Sequence, residues 1–141
     1  MQLQLATICD SAVDYQGKLC VLGAFDTLCA HKFPVVHPQC SLALRLLFDY
    51  QERGRHEMSI RLISEEGTDL MPAYTQGMDV NFPSGYVPFV TWIKVLNLQG
   101  LTFEKPGVYR FHITLGNELL TTIPLRVTRF EELRGTSSPN S

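Results

Sequence analysis

The sequence predicts an all-β protein, an antiparallel two-sheet sandwich of immunoglobulin-like or related topology with about eight strands. Three observations predict it. Apolar and polar residues alternate with a period of two, turns containing Gly and Pro separate the alternating segments, and helical periodicity is scarce. The 141 residues suffice for a single core. We therefore expect one domain over residues 1–128, followed by a short helical turn and a mobile polar tail over residues 129–141.

The clearest alternation predicts two strands in the middle of the chain. One strand places four apolar residues on a single face, Leu42, Leu44, Leu46 and Phe48. After a polar turn around Gly54, the next strand does the same with Met58, Ile60 and Leu62. Because only a short turn separates these two strands, we expect them to pair as an antiparallel hairpin.

The N-terminal region predicts two more strands, over residues 3–9 and 18–22, joined by a turn over residues 10–17. Within that turn, Asp10 and Asp14 are expected to accept hydrogen bonds from backbone amides rather than to perform acid–base chemistry. The segment 30–39, which contains two prolines, is the longest irregular connection. We expect it to cross from one sheet to the other.

The C-terminal region predicts a tight hairpin at Gly116-Asn117, because glycine accepts the backbone twist that two-residue turns require. Pro124 falls within the last strand and has no N–H to donate to a neighbour. We therefore expect an exposed edge or a bulge there. An exposed edge also makes a homo-oligomer possible, through pairing of the edge with its own copy.

Composition and charge exclude several classes of function. The formal charge of −2 offers no positive field for nucleic acid, and no apolar run reaches the ~20 residues that cross a bilayer. The N-terminus has no Lys or Arg before Lys18, so it lacks the charged region of a secretory signal. We expect a cytoplasmic protein whose partner is another protein, without nucleic acid or membrane contact.

One loop gathers four possible metal ligands, Cys29, His31, His37 and Cys40. Their spacing matches no familiar zinc motif, and the competing interpretation is a loop with ordinary histidines and core cysteines. A thiol- or metal-dependent enzyme built on this loop stays open as an alternative. No nucleophile elbow, phosphate-binding loop or metalloprotease motif occurs, so we expect no cofactor and favour a protein that is not an enzyme.

A second loop gathers aromatic residues, with Phe82, Tyr86, Phe89 and Trp92 around two prolines and a glycine. Aromatic side chains on a loop between strands form platforms for a sugar or for a partner's side chain. The competing interpretation places Phe82, Phe89 and Trp92 in the core and displays Tyr86 alone. A carbohydrate or small-ligand binder is therefore an alternative function.

Two motifs carry a resemblance to a known family. The first reads CD…GKLxVxGxFD over residues 9–26, and the second reads NLQGLxFxxPGxYxF over residues 97–111. Together they resemble a family of short bacterial proteins of unknown function, over residues 3–127. The resemblance implies a bacterial β-sandwich of one domain and brings no activity or ligand. With the residues above, it favours a non-catalytic intracellular binding or assembly module.

Overall fold

The structure is a computed structural model and describes residues 1–131. Nine strands occupy this range: β1 Gln2–Tyr15, β2 Lys18–Phe25, β3 Thr27–Ala30, β4 Val35–Phe48, β5 Gly54–Ile63, β6 Tyr74–Val80, β7 Val90–Phe103, β8 Gly107–Leu115 and β9 Glu118–Arg129. The expected tail falls mainly on residues 132–141, which lie outside the described residues, as does most of the expected helical turn. No helix within residues 1–131 is long and apolar enough to cross a membrane.

The strands form two packed sheets, and the predicted β-sandwich is confirmed. Sheet A has the order β2-β1-β4-β7, and sheet B has the order β3-β9-β8-β5-β6. Strand pairs within both sheets are antiparallel except β3 and β9, which run parallel from Thr27–Arg126 to Ala30–Arg129. The predicted number of about eight strands becomes nine, because β3 leaves sheet A after Phe25 and joins sheet B.

The core lies between the sheets and is built by the alternation that predicted them. In sheet A the inward residues of β4 from Cys40 to Phe48 are buried, and in sheet B so are Met58, Ile60 and Leu62 of β5 and Tyr109, Phe111 and Ile113 of β8. The largest fully buried side chains are Phe48, Phe103 and Phe111. Phe103 meets Tyr109 edge to face, with ring centroids 4.9 Å apart, so β7 and β8 are joined across the end of the core.

The predicted hairpin between β4 and β5 is wrong. β4 pairs with β1 and β7 in sheet A, whereas β5 pairs with β6 and β8 in sheet B. The connection contains a 3₁₀ turn at Tyr50–Glu52, whose N-terminus is capped by the Asp49 carboxylate accepting from Gln51 N–H at 2.9 Å. The chain therefore changes sheets at this turn. Alternation tells which face of a strand is buried, but not which strand lies beside it.

The connections at both ends of the chain also differ from simple hairpins. Residues 31–34 cross from sheet B to sheet A, as expected, but the crossing is shorter because β4 already begins at Val35. At the C-terminus, β9 lies inside sheet B, and β3 runs along it only from Arg126. The exposed residue Pro124 pairs with Arg110 and lies just before the covered stretch.

The predicted turn over residues 10–17 is instead mostly strand. β1 continues to Tyr15, and the turn is only Gln16-Gly17, with φ of +52° and +79°. Asp14 accepts a hydrogen bond from Gly17 N–H at 3.0 Å, which is the amide contact expected of it. Pairing of β1 with β4 ends at Cys9–Ser41, so residues 10–23 form a two-stranded ribbon beyond the central strands. We call this ribbon the arm.

Candidate binding surface

The surface of sheet A that points away from the core follows from the strand register. Leu42 and Leu44 point into the core, so Ala43 between them points outward. Ala43 pairs with Thr7 of β1 and Val95 of β7, and paired residues share a face. The same rule applies to the residue pairs between β1 and β2. The apolar face consists of the odd-numbered residues of 5–15, 41–47 and 91–97 together with the even-numbered residues of 18–24.

The apolar face is deficient in charge. Its charged members are Lys18 at the end of the arm and Arg45 on β4, and no carboxylate lies on it. The Arg45 guanidinium donates a hydrogen bond to the Gln4 side chain. The remaining members are apolar or are neutral Ser, Thr and Asn side chains. A partner that covers this face therefore meets hydrocarbon, a few hydroxyls and two cations.

Exposure of the apolar face is greatest on the arm. Leu22 is 71% exposed, Tyr15 59% and Val13 55%, and Cys20 is exposed opposite Val13. The middle of the face is different, because Cys9, Ala43 and Ser41 are buried there. Small side chains thus form a flat, closely packed centre, and larger apolar side chains stand free on the arm. Single exposed apolar residues are ordinary, but a contiguous group of them marks a contact surface.

The aromatic loop separates into displayed and packed members. Tyr86 is 92% exposed and Phe89 is 49% exposed. Trp92 lies on β7 opposite Leu46 and packs against the core, and Phe82 also packs there, with its ring edge to face with Tyr50 at 5.4 Å. Two of the four aromatic side chains are therefore available to a ligand, at the end of the sandwich opposite the arm.

The four candidate metal ligands are not brought together, and no group of three or more His, Cys, Asp or Glu side chains suited to a metal occurs within residues 1–131. His31 is exposed, and its ring stacks on Phe130 with centroids 4.6 Å apart. His37 lies on β4 near the ring of Phe25, with Nε2 buried and unpartnered among the described residues. Cys29 is half-buried on β3, whereas Cys40 belongs to the core.

The two buried thiols are held in the protonated form. Burial, together with smaller contributions from the nearby Cys9 and Asp10, raises the pKa of Cys40 to about 11. Burial likewise raises the pKa of Cys9, which donates to Ser41 O at 3.6 Å. A cysteine nucleophile needs a lowered pKa and access to solvent. Neither thiol fits that chemistry.

A cleft of about 510 Å³ lies at one end of the sandwich between residues 64–70 and 102–109. Three of the four charged side chains that line it, Glu66, Asp69 and Lys105, have charged partners. The Arg61 guanidinium donates to the Asp69 carboxylate at 3.1 Å beside the cleft, and Lys105 pairs with Glu66 within it. An ionic ligand would have to displace one of these pairs, so the cleft is a weaker candidate than the apolar face.

Comparison with known protein families gives one match. The model of a family of unknown function, DUF6941, matches residues 4–128. The chain belongs to this family. Neither the curated proteins nor the solved structures contain a match to it. The DUF6941 match confirms the resemblance to a family of unknown function, and it assigns no ligand or activity.

Sequence reasoning missed the apolar face, although the signal was present. Val13 and Tyr15 alternate with Ala12 and Asp14, but Asp10 and Asp14 are typical of a turn, which is predicted over residues 10–17. Cys20 and Leu22 alternate with Val21 within the predicted strand over residues 18–22. A search for strands with apolar residues on both faces would have found this surface.

Proposed function

We propose that this DUF6941 chain is a non-catalytic binding and assembly module in the cytoplasm of a bacterial cell, which docks another protein on its apolar face. The observation that carries the proposal is the outward surface of four strands of sheet A, which combines apolar side chains with neutral Ser, Thr and Asn side chains and has only two charges. Strands about 4.8 Å apart, each contributing about 20–25 Å of length, give a flat area of roughly 400 Å². The largest apolar patch on a typical monomer has a similar area and is often functional.

Charge indicates the chemistry of the partner. The chain carries a formal charge of −2, yet the only charged side chains on the apolar face are the cations Lys18 and Arg45. Complementary potentials favour a partner that places carboxylates against these two positions and apolar groups between them. We therefore propose a protein partner with an apolar surface that is flanked by Asp or Glu.

Site-specific photocrosslinking in the native host tests this proposal. A benzophenone side chain replaces Leu5 or Ile93, which lie on the apolar face away from the outer edge of β2. The matched control replaces Ser59, which points outward from sheet B. We expect the same protein to be captured from Leu5 and Ile93 but not from Ser59, and to be identified by mass spectrometry.

The captured protein is then purified and titrated against two variants. Leu5→Lys is expected to weaken binding by roughly tenfold or more, because it places a third cation in the apolar contact, whereas Ser59→Lys leaves binding unchanged. Equal capture from Ser59, or unchanged binding by Leu5→Lys, contradicts the proposal. Adducts that contain this chain alone would assign the apolar face to self-association instead.

A carbohydrate or small-ligand binder is the second candidate function, and the exposure of Tyr86 and Phe89 favours it. Sugars bind by stacking on displayed aromatic rings, and two such rings are within one loop. Screening against immobilised glycans tests it, with Tyr86→Ala as the variant. Binding that is retained by Tyr86→Ala would exclude this loop as the sugar site.

A further inference from the structure

The outer edge of β2 is open. β2 has β1 on one side, and no strand lies on its other side within residues 1–131. The two-residue turn makes Tyr15 and Lys18 a hydrogen-bonded pair, so alternate residues of β2 bond to β1. Cys20 and Leu22 therefore use their backbone groups within the arm. The N–H and C=O groups of Leu19 and Val21 point to the open edge.

Other strand edges of this molecule carry features that prevent pairing, whereas β2 has none from Leu19 to Leu22 and departs from regular strand geometry only at Gly23, with φ of +72°. β3 has only four residues, β6 carries the charged Asp79, and the free part of β9 contains Pro124. On β7, the charged Lys94 points inward and donates to the Tyr74 hydroxyl. Natural proteins use short strands, charges, prolines and inward-pointing charges to block edge-to-edge association. Along β2 the single charge, Lys18, is at the very end.

The arm also lacks lateral support. It pairs with no third strand beyond Cys9–Ser41, and none of its residues belongs to the described core cluster. An isolated two-stranded hairpin is marginally stable in water, and a third strand stabilises it. A strand added along β2 would supply hydrogen bonds to Leu19 and Val21 without disturbing any existing pair.

We infer that this strand comes from a second copy of the chain, and that two β2 edges pair antiparallel about a two-fold axis centred on Cys20. In this register, Leu19 of each copy exchanges both backbone hydrogen bonds with Val21 of the other, and the two Cys20 residues form the central non-hydrogen-bonded pair. Lys18 lies opposite Leu22, so no like charges face each other. The dimer has a continuous eight-stranded sheet and joins two apolar faces side by side.

This inference goes beyond the proposed function, because it depends on the backbone edge of β2 and not on the apolar face. Sedimentation measures it directly. We expect wild-type protein to dimerise reversibly with concentration. Val21→Pro removes the outward N–H and should raise the dimer dissociation constant by roughly tenfold or more. The effect is large because two-fold symmetry removes the same hydrogen bond from both copies. The matched variant Val21→Ala keeps the N–H and should still dimerise.

Hydrogen exchange on wild-type protein gives a second test that needs no variant to fold. The amides of Leu19 and Val21 should become protected as concentration rises, whereas the amides of Cys20 and Leu22 stay protected throughout. A third test uses a short bis-maleimide, which should link Cys20 to its copy in wild type and not in Cys20→Ser. A monomer at all concentrations, or a dimer as stable in Val21→Pro as in Val21→Ala, overturns the inference. Neither result bears on photocrosslinking from Leu5 and Ile93.

Discussion

The outer faces of the two sheets differ in chemistry, although their inner faces are alike. Sheet B points charged side chains outward along β5, β6, β8 and β9, namely Arg55, Glu57, Arg61, Asp79, Arg110 and Arg126. On sheet A, the apolar face has two charged side chains, Lys18 and Arg45. Since the core needs apolar residues only between the sheets, the apolar exterior of sheet A is not explained by folding. The proposed contact with another protein would account for it.

The charges of sheet B do not hold the fold together. Arg61 pairs with Asp69 at 3.1 Å and Arg55 pairs with Asp79 at 3.4 Å, with all four side chains well exposed. Exposed ion pairs contribute about 0–1 kcal/mol each. They make the sheet B exterior polar, whereas no ion pair lies on the apolar face of sheet A among residues 1–131.

The largest expected effect is a difference in thiol reactivity between the exposed arm and the buried centre of the apolar face. Cys20 should react with a maleimide at least 100-fold faster than Cys9 or Cys40, because Cys20 is exposed while the other two are buried with raised pKa values. With a pKa of about 11, roughly one Cys40 thiol in a thousand is ionised at pH 8. Its reaction in the folded protein should therefore stay slow up to pH 9.

Timed mass spectrometry of the labelled protein measures these rates, and Cys20→Ser is the control that removes the fast phase. In denaturant all four cysteines should react. Fast labelling of Cys9 in the native protein would show that the centre of the apolar face is open, and the contrast with the arm would be lost.

The next largest expected effect is on the free energy of unfolding, compared at one outward position of each sheet. Ala43 is fully buried between Thr7 and Val95, so Ala43→Glu forces a carboxylate into a packed site and should destabilise the fold by about 1–3 kcal/mol. Ser59→Glu, on the outside of sheet B, should change stability by about 0.5 kcal/mol or less. Urea unfolding followed by circular dichroism measures both. Equal effects would mean that the two exteriors do not differ.

The sequence predicted the fold class well because alternation is a local property. Leu42, Leu44 and Leu46 identify a buried face without reference to any other strand. Partner strands were predicted less well, since pairing depends on where the chain turns, and the 3₁₀ turn at Tyr50–Glu52 sends β5 to the other sheet. The extent of the apolar face could not be predicted for the same reason, although the alternation within the arm is visible in the sequence. It forms only when β1, β2, β4 and β7 lie side by side.

A smaller effect concerns surface hydrophobicity itself. Val13 is 55% exposed on the apolar face, so Val13→Lys should lower the fluorescence of a hydrophobic dye such as anilinonaphthalene sulfonate by roughly twofold, with little change in stability. Thr114→Lys, on the outside of sheet B, should leave dye binding unchanged because no apolar patch surrounds it. A dye titration on the folded variants distinguishes them. Equal loss in both variants would show that the added charge, and not the apolar face, controls dye binding.

The smallest effect tests whether the aromatic loop belongs to the same surface. Tyr86 is 92% exposed, so Tyr86→Ala should change the free energy of unfolding by about 0.5 kcal/mol or less, whereas Trp92→Ala should lose roughly 2–3 kcal/mol because Trp92 packs against the core. The same pair of variants separates structure from recognition. If Tyr86→Ala weakens binding of the partner captured through Leu5 while stability is unchanged, the docking surface extends from the arm to this loop. If partner binding is unaffected, the loop is independent of the apolar face, and any recognition by Tyr86 concerns a different ligand.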